Sequence, residues 1–402
     1  MRKQESNGSV NLPSMGGRDA ACFPRRQFAQ RANCRSESPK DVRFTTGGGG
    51  GVQNSLHILA VKYAVLAAVL LGACAVIFAG CSPDDEDNPP VKLPMTWTLG
   101  SGIDSDVTIN KVAYGNNVFV AAGKKGSEGY AAVSENGVTW TTATDTTAFE
   151  GSSMHVSFQN DVFIAYGGSS GNKNWAKSSD GTTWAAIGDE TSNFNAKGGT
   201  FGNGNYLMSG SAGRIAHSSD GTTWTIVANT ETTFGSGPAG FINAVAYGNG
   251  KFVAGGGNGH AAWASQPTEQ WEGVTQTETI FDNGFINALI FADFDGGRFV
   301  AVGGQDSGTG KAAYSKDGVS WTQTEDIKIG DSTMVNSIAY GGGVFVAADK
   351  KGNASYSTDG TTWTLIANTQ FSSDTTAINS ICYGKGKFVI AGSGRIAYSM
   401  PE

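Results

Sequence analysis

The chain repeats itself. An apolar step ending in an aromatic residue or its equivalent recurs at Val112-Ala113-Tyr114, Val156-Ser157-Phe158, Gly199-Thr200-Phe201, Val245-Ala246-Tyr247, Leu289-Ile290-Phe291, Ile338-Ala339-Tyr340 and Ile381-Cys382-Tyr383. The aromatic residues lie 44, 43, 46, 44, 49 and 43 positions apart. Each step leads through a short turn, such as Gly248-Asn249-Gly250, into a second apolar segment, here Lys251-Phe252-Val253-Ala254. A third segment ends in Ser, and an Asp-Gly turn joins it to a fourth that opens on Trp. Four short strands at this period describe a propeller blade, a unit that cannot bury its apolar face alone and must stack on its neighbours.

Composition agrees with an all-β body. Only five Leu fall between Ser82 and Glu402, too few for a helical protein of this length, while the 58 Gly, about 14% of 402 residues against an average near 7%, mark turns. Seven first strands are present, yet the last unit stops at Ser399-Met400-Pro401-Glu402 without a Trp strand. Seven Trp residues fit the blade-closing position once Trp97 is counted with Trp140, Trp184, Trp224, Trp271, Trp321 and Trp363. The spacing predicts a seven-bladed β-propeller of four-stranded antiparallel blades over residues 95–402, with the strand around Trp97 completing the final blade so that no edge is left open.

The third-to-fourth strand connection reads SSDGTTW at 178–184 and 218–224, SKDGVSW at 315–321 and STDGTTW at 357–363, with SENGVTW at 134–140. Asp-Gly and Asn-Gly between strands predict tight type I′ hairpins, in which both central residues have positive φ. The motif resembles the Asp-box of the BNR-repeat, sialidase-like propellers, S-x-D-x-G-x-x-W, with one residue missing between Asp and Gly. In that family Asp-boxes are structural and occur in enzymes and binding proteins alike. The resemblance therefore implies turn and capping roles for Asp180, Asp220, Asp317 and Asp359, with calcium binding the alternative.

The N-terminal part has a different character. Residues 1–81 carry 10 Lys/Arg and 4 Asp/Glu, whereas the remainder carries 18 and 31, a net charge of −13. So acidic a body argues against an electrostatic nucleic-acid binder. An uncharged run from Tyr63 to Gly80 follows Lys62 and ends at Cys81. Eighteen apolar residues can just span a bilayer; alternatively, Phe78-Ala79-Gly80-Cys81 resembles the lipobox of bacterial lipoproteins, which makes Cys81 the expected acylation site. Either reading places the body outside the cytoplasm, and we expect lipid anchoring at the outer membrane or cell surface of a bacterial envelope. Residues 1–55 then form an extension that is disordered or precedes the true translation start, 56–81 a signal peptide, and 82–94 an acidic, Pro-containing tether. Of the remaining cysteines only Cys382 lies in the body, so no disulfide framework or Cys-based zinc site is expected.

Blade topology assigns a working face. Turns after strands one and three are short and share one face; the longer loops after strands two and four share the other, where a ligand is expected to bind. Asn110, Asn243, Asn287, Asn336 and Asn379 recur just before strand one, as a ring of amides at the channel mouth. Repetition favours bridging between blades, while such a ring could also bind sugar hydroxyls. Residues that break the repeat are better functional candidates: Trp175 and Trp263 lie outside the blade-closing set, with His260 near the latter, and Arg214 and Arg395 lie on long-face loops. An exposed Trp stacks on a sugar ring or enters a partner's pocket, although core packing within strand three is the competing reading.

Sialidases clamp a substrate carboxylate with three Arg. The body contains only Arg214, Arg298 and Arg395, and Arg298 opens a second strand on the short-turn face, so sialidase activity is not expected. No cofactor or metal site is expected from the spacing of His, Cys and acidic residues. We expect a monomeric, membrane-tethered binding module for a protein or glycan. The alternative is a glycoside hydrolase or lyase using two loop carboxylates from a set that includes Glu150, Asp189, Glu278, Asp282, Asp326 and Asp374.

Overall fold

The structure, a computed structural model, describes residues 93, 95–148, 154–167, 174–187, 194–235, 240–305, 308–327, 329, 334–371 and 377–400. Cys81 and the proposed signal peptide and extension lie outside these residues. The described body folds into seven four-stranded antiparallel sheets. The first blade runs Val107–Gly115, Val118–Lys125, Glu128–Ser134 and Thr141–Thr142, each strand paired with the one before it. The last runs Ile378–Gly384, Lys387–Gly392 and Arg395–Met400, and its outer strand is Thr96–Leu99 from the other end of the domain. Trp97 pairs there with Ser399 and Leu99 with Ala397. Helical pieces among the described residues are short: Ser211–Gly213, Glu231–Phe234, Gln276–Ile280 and Gly257–Gly259.

The core lies between blades rather than within them. Seven apolar clusters each combine side chains of two successive sheets. One of them joins Val107, Ile109 and Trp140 of the first blade to Val389 and Ile396 of the last, with Cys382 buried in the same seam. Strand-two phenylalanines such as Phe119, Phe163, Phe252, Phe299, Phe345 and Phe388 are fully buried. Each contributes roughly 1.5–3 kcal/mol of transfer free energy. All seven blade-closing Trp are buried as well.

The turn types differ from the expectation. Positive φ at two consecutive residues occurs in the strand one-to-two turns, at Asn116-Asn117, Asn160-Asp161, Asn203-Gly204, Asn249-Gly250, Gly342-Gly343 and Lys385-Gly386. In the Asp-Gly connections only the glycine is left-handed, as at Gly181 with φ 76°. These connections are wider loops held by side chains. Asp180 Oδ1 accepts from the N–H groups of Thr182 and Thr183 at 2.8 and 3.2 Å, and Ser178 Oγ accepts from Gly181 N–H at 2.8 Å. Trp184 closes the loop by donating from Nε1 to the Gly181 carbonyl at 2.9 Å. Asp220, Asp317 and Asp359 repeat the pattern, and Asn136 does so with its amide oxygen. The Asp side chain supplies locally the bonds that a two-residue turn draws from the backbone ladder.

Candidate functional site

Strand one of six blades contains a β-bulge, and the bulged residue is Asn110, Lys197, Asn243, Asn287, Asn336 or Asn379. A bulge places one unpaired residue on a strand and re-aims its side chain. Five of these side chains are asparagines, and each donates from Nδ2 to a carbonyl of the next blade. The acceptors are Met154, Ile286, Val335, Ile378 and Ile109, at 2.9, 3.2, 2.9, 3.4 and 2.8 Å. The asparagines thus bridge neighbouring blades. They also line an open cavity of about 250 Å³ at the long-loop mouth of the channel.

Two blades depart from this scheme. Blade two shows no bulge among the described residues: Met154 pairs with Gly167 and His155 with Tyr166 in unbroken register. In blade three the bulged residue is Lys197. The mouth is therefore completed by Lys111, His155 and Lys197, which stand on three successive blades and join the five asparagines in its lining. Among the described residues no carboxylate lines this mouth.

The same three groups make the mouth electrostatically unusual in a body of net charge −13. Burial pushes the Lys111 and Lys197 ammonium groups below the ordinary lysine range. Burial, followed by the charges of Lys111 and Lys197, lowers His155 to about 3. His155 stacks on Tyr166 with ring centroids 5.7 Å apart and planes 9° apart, while its buried Nδ1 has no hydrogen-bond partner among the described residues. Below the mouth the channel continues as a cavity of about 310 Å³. Ser337 and Ser380 lie on its wall, and their hydroxyls accept from Ile381 and Val112 N–H of the next blade, each at 3.1 Å. Counted from the strand-one aromatics, Lys111 and His155 occupy the position that holds Ser337 and Ser380 in the later units.

Several sequence candidates lie elsewhere. Trp175 is only 2% exposed, packed edge-on against Trp224 at 5.0 Å and against Phe194, so it presents no ligand platform. Trp263 is half-buried with the Lys251 ammonium 4.6 Å above its ring. Lys251 follows the Asn249-Gly250 turn, so Trp263 belongs to the short-turn end rather than the expected face. His260 faces Glu278 at 3.8 Å and is separate from the mouth. Arg395 is exposed and donates to the Gln370 carbonyl at 2.9 Å; neither it nor half-buried Arg214 lines the mouth. Arg298 lies at the short-turn end, paired with Asp295 at 2.8 Å and set against Phe294 and Tyr314.

Of the loop acids, Asp282 and Asp326 flank Lys311 at 3.3 and 3.1 Å, whereas Glu150, Asp189 and Asp374 lie outside the described residues. Lys111, His155 and Lys197 were not among the sequence candidates. Their signal is the one used for Trp175, departure from the repeat, applied to strand one.

A family model for the DUF6242 beta propeller domain matches residues 95–329, more than half of the 402-residue chain. No curated protein matches the sequence. Among solved structures, YCF48 bound to D1 peptide superposes with a TM-score of 0.56 at 17% identity, covering 79% of this chain and all of that one. YCF48 from Cyanidioschyzon merolae gives 0.56 at 16% identity, covering 76% and 98%. Virginiamycin B lyase from Staphylococcus aureus gives 0.57 at 10%, covering 76% and 99%. At these identities the likeness is one of fold. The BNR, sialidase-like resemblance is not what the family match returns.

Proposed function

This chain belongs to the DUF6242 beta propeller family, and we propose that it is a binding module that receives the end of a protein or glycan ligand at the long-loop mouth of its channel. The observation that carries this reading is the composition of that mouth, an arc of asparagine amides closed by Lys111, His155 and Lys197 with no carboxylate in the lining among the described residues. Convergent polar groups over a concave opening orient a ligand. Acid-base hydrolysis of a glycosidic bond needs two carboxyl groups across one bond, so this lining suits capture better than turnover. The YCF48 structure with a bound peptide is a precedent for the fold as a binder.

In this reading Cys81 carries a lipid that holds a monomeric propeller outside the cytoplasm, with residues 82–94 as its tether. Multiple acyl chains anchor firmly, since each buried CH₂ contributes about 0.8 kcal/mol. The test is ligand capture by the full-length protein on glycan and peptide arrays, repeated with Asn287→Trp, which fills the mouth. Capture lost in the variant supports the reading, and capture retained overturns it. Loss of membrane-fraction association in Cys81→Ser, together with loss of the acyl mass, is the corresponding result for the anchor; unchanged association overturns it.

A further inference from the structure

We infer that the channel mouth is an oxyanion site that takes the carboxylate of an acidic sugar, with Lys111 and Lys197 meeting the charge and the asparagine arc meeting the hydroxyls. This rests on the mouth being the binding end.

Position and partnering carry the cationic half. Lys111 and Lys197 make no ion pair and no hydrogen bond among the described residues, and the lining that holds them contains no acid. Several other lysines of the described body have a polar partner, Lys125 with Asp104 at 2.6 Å, Lys316 with Asp295 at 2.8 Å and Lys311 with Asp282 and Asp326, while Lys177 donates to a hydroxyl and Lys251, Lys385 and Lys387 to backbone carbonyls. Buried ammonium groups with no acid beside them cost stability; Lys111 and His155 stand where other blades place Gly, Ala or Ser, Lys197 stands where five blades place Asn, and both ammonium groups bear on the imidazole. Such an arrangement is a common mark of a site kept for function at the expense of stability. Both lysines are displaced downward in proton affinity, which an anion between them reverses. Lysine ammonium groups act as point charges that suit an oxyanion without imposing the planar fork of arginine.

The amide half selects the rest of the ligand. Asn243, Asn287, Asn336 and Asn379 use Nδ2 for the bridge between blades, and their Oδ1 atoms accept no hydrogen bond among the described residues. Acceptors at a mouth call for donors on the ligand. A carboxylated sugar brings several hydroxyls on one ring beside its carboxylate. A peptide terminus brings a carboxylate but spaces its N–H groups about 3.4 Å apart along an extended chain, which a ring-shaped mouth does not follow.

The test is calorimetric titration of the full-length protein in detergent with glucuronate, glucose and a short peptide carrying a free C-terminal carboxylate, on wild type, Lys111→Met and Lys197→Met. Glucuronate is expected to bind at least tenfold tighter than glucose, and each substitution to weaken it threefold or more. Equal or higher melting temperatures in the variants would show that they fold. Equal affinity for glucuronate and glucose overturns the anion assignment, as does binding that the lysine substitutions leave unchanged. A peptide that binds tighter than glucuronate overturns the sugar assignment. Array capture that Asn287→Trp blocks but Lys111→Met and Lys197→Met spare removes this inference alone and leaves the mouth as the binding end.

Discussion

Asn379 donates from Nδ2 to the carbonyl oxygen of Ile109 at 2.8 Å, across 270 residues of sequence and across the seam where the last blade meets the first. The same bond joins Asn336 to Ile378 one blade earlier, at 3.4 Å. The repeat thus continues through the seam with the geometry it has between blades that are consecutive in the chain.

The Asn379 bridge predicts a measurable cost. Asn379→Ala removes one partly buried hydrogen bond and leaves the Ile109 carbonyl without that donor, which costs about 1–3 kcal/mol when the group stays unsatisfied. Asn243→Ala, at a bridge within the chain's continuous run, is expected to cost a similar amount. Urea unfolding of both variants checks this, and a negligible loss in Asn379→Ala would show that the seam does not depend on the bridge.

Gly384 sets the closeness of the same seam. A Cβ there would lie 2.3 Å from Cγ of Tyr114 on the first blade, as one at Gly341 would lie 1.9 Å from Cδ1 of Tyr383. Gly384→Ala forces the ring or the strand to move, an overpacking cost of about 1–3 kcal/mol. Tyr114→Ala in the same chain relieves the clash, so a double-mutant cycle should show favourable coupling between the two substitutions. Additive effects would contradict the contact.

Much of this was legible because a repeat exposes what a fold demands. The aromatic of strand one, the blade-closing Trp and the asparagine before strand one recur at fixed offsets, and they fall at the inner strand, the inter-blade core and the inter-blade bridge. The turn type was misread because Asp180 and Ser178 bond the loop themselves, which a dipeptide rule for hairpins does not include. The missing bulge in blade two is a matter of pairing, visible only once Met154 is seen opposite Gly167. Lys111, His155 and Lys197 lie far apart in sequence and come together because closing the ring sets successive first strands side by side. Trp175 broke the repeat too, yet it fills space between blades two and three, so departure from the pattern does not by itself separate packing from binding.

Asp180 predicts a contrast between two substitutions. Burial pushes its carboxyl up, but hydrogen bonds from Thr182, Thr183 and Ser178 outweigh it and hold the group at about 2. Asp180→Asn keeps the accepting oxygen, as Asn136 does in the first blade, and is expected to change stability little at neutral pH. Asp180→Ala loses both backbone acceptor contacts and is expected to cost roughly 1 kcal/mol, discounted for the exposure of the carboxylate. The folded value lies below the unfolded one near 3.9. The charged group's contribution is therefore present above about pH 4 and lost as pH falls towards 2. Thermal melts of the Asn variant should lack this part of the acid transition.

His155 predicts an earlier loss on the acid side. Its folded value of about 3 lies below the unfolded value near 6.5. Between these limits the unfolded chain holds a proton that the folded chain does not, so stability falls as pH is lowered through this window and is constant above it. The Asp carboxylates of the Asp-Gly loops remain charged over most of that range, which leaves the interval from about pH 6.5 to 4.5 to the histidines. Burial also lowers His217, so its slope adds to that of His155. His155→Gln keeps a polar side chain beside Lys111 and Lys197 without a titrating ring. It should flatten the dependence of melting temperature on pH in that interval, leaving the smaller slope from His217, and a profile that matches wild type would place the proton uptake elsewhere.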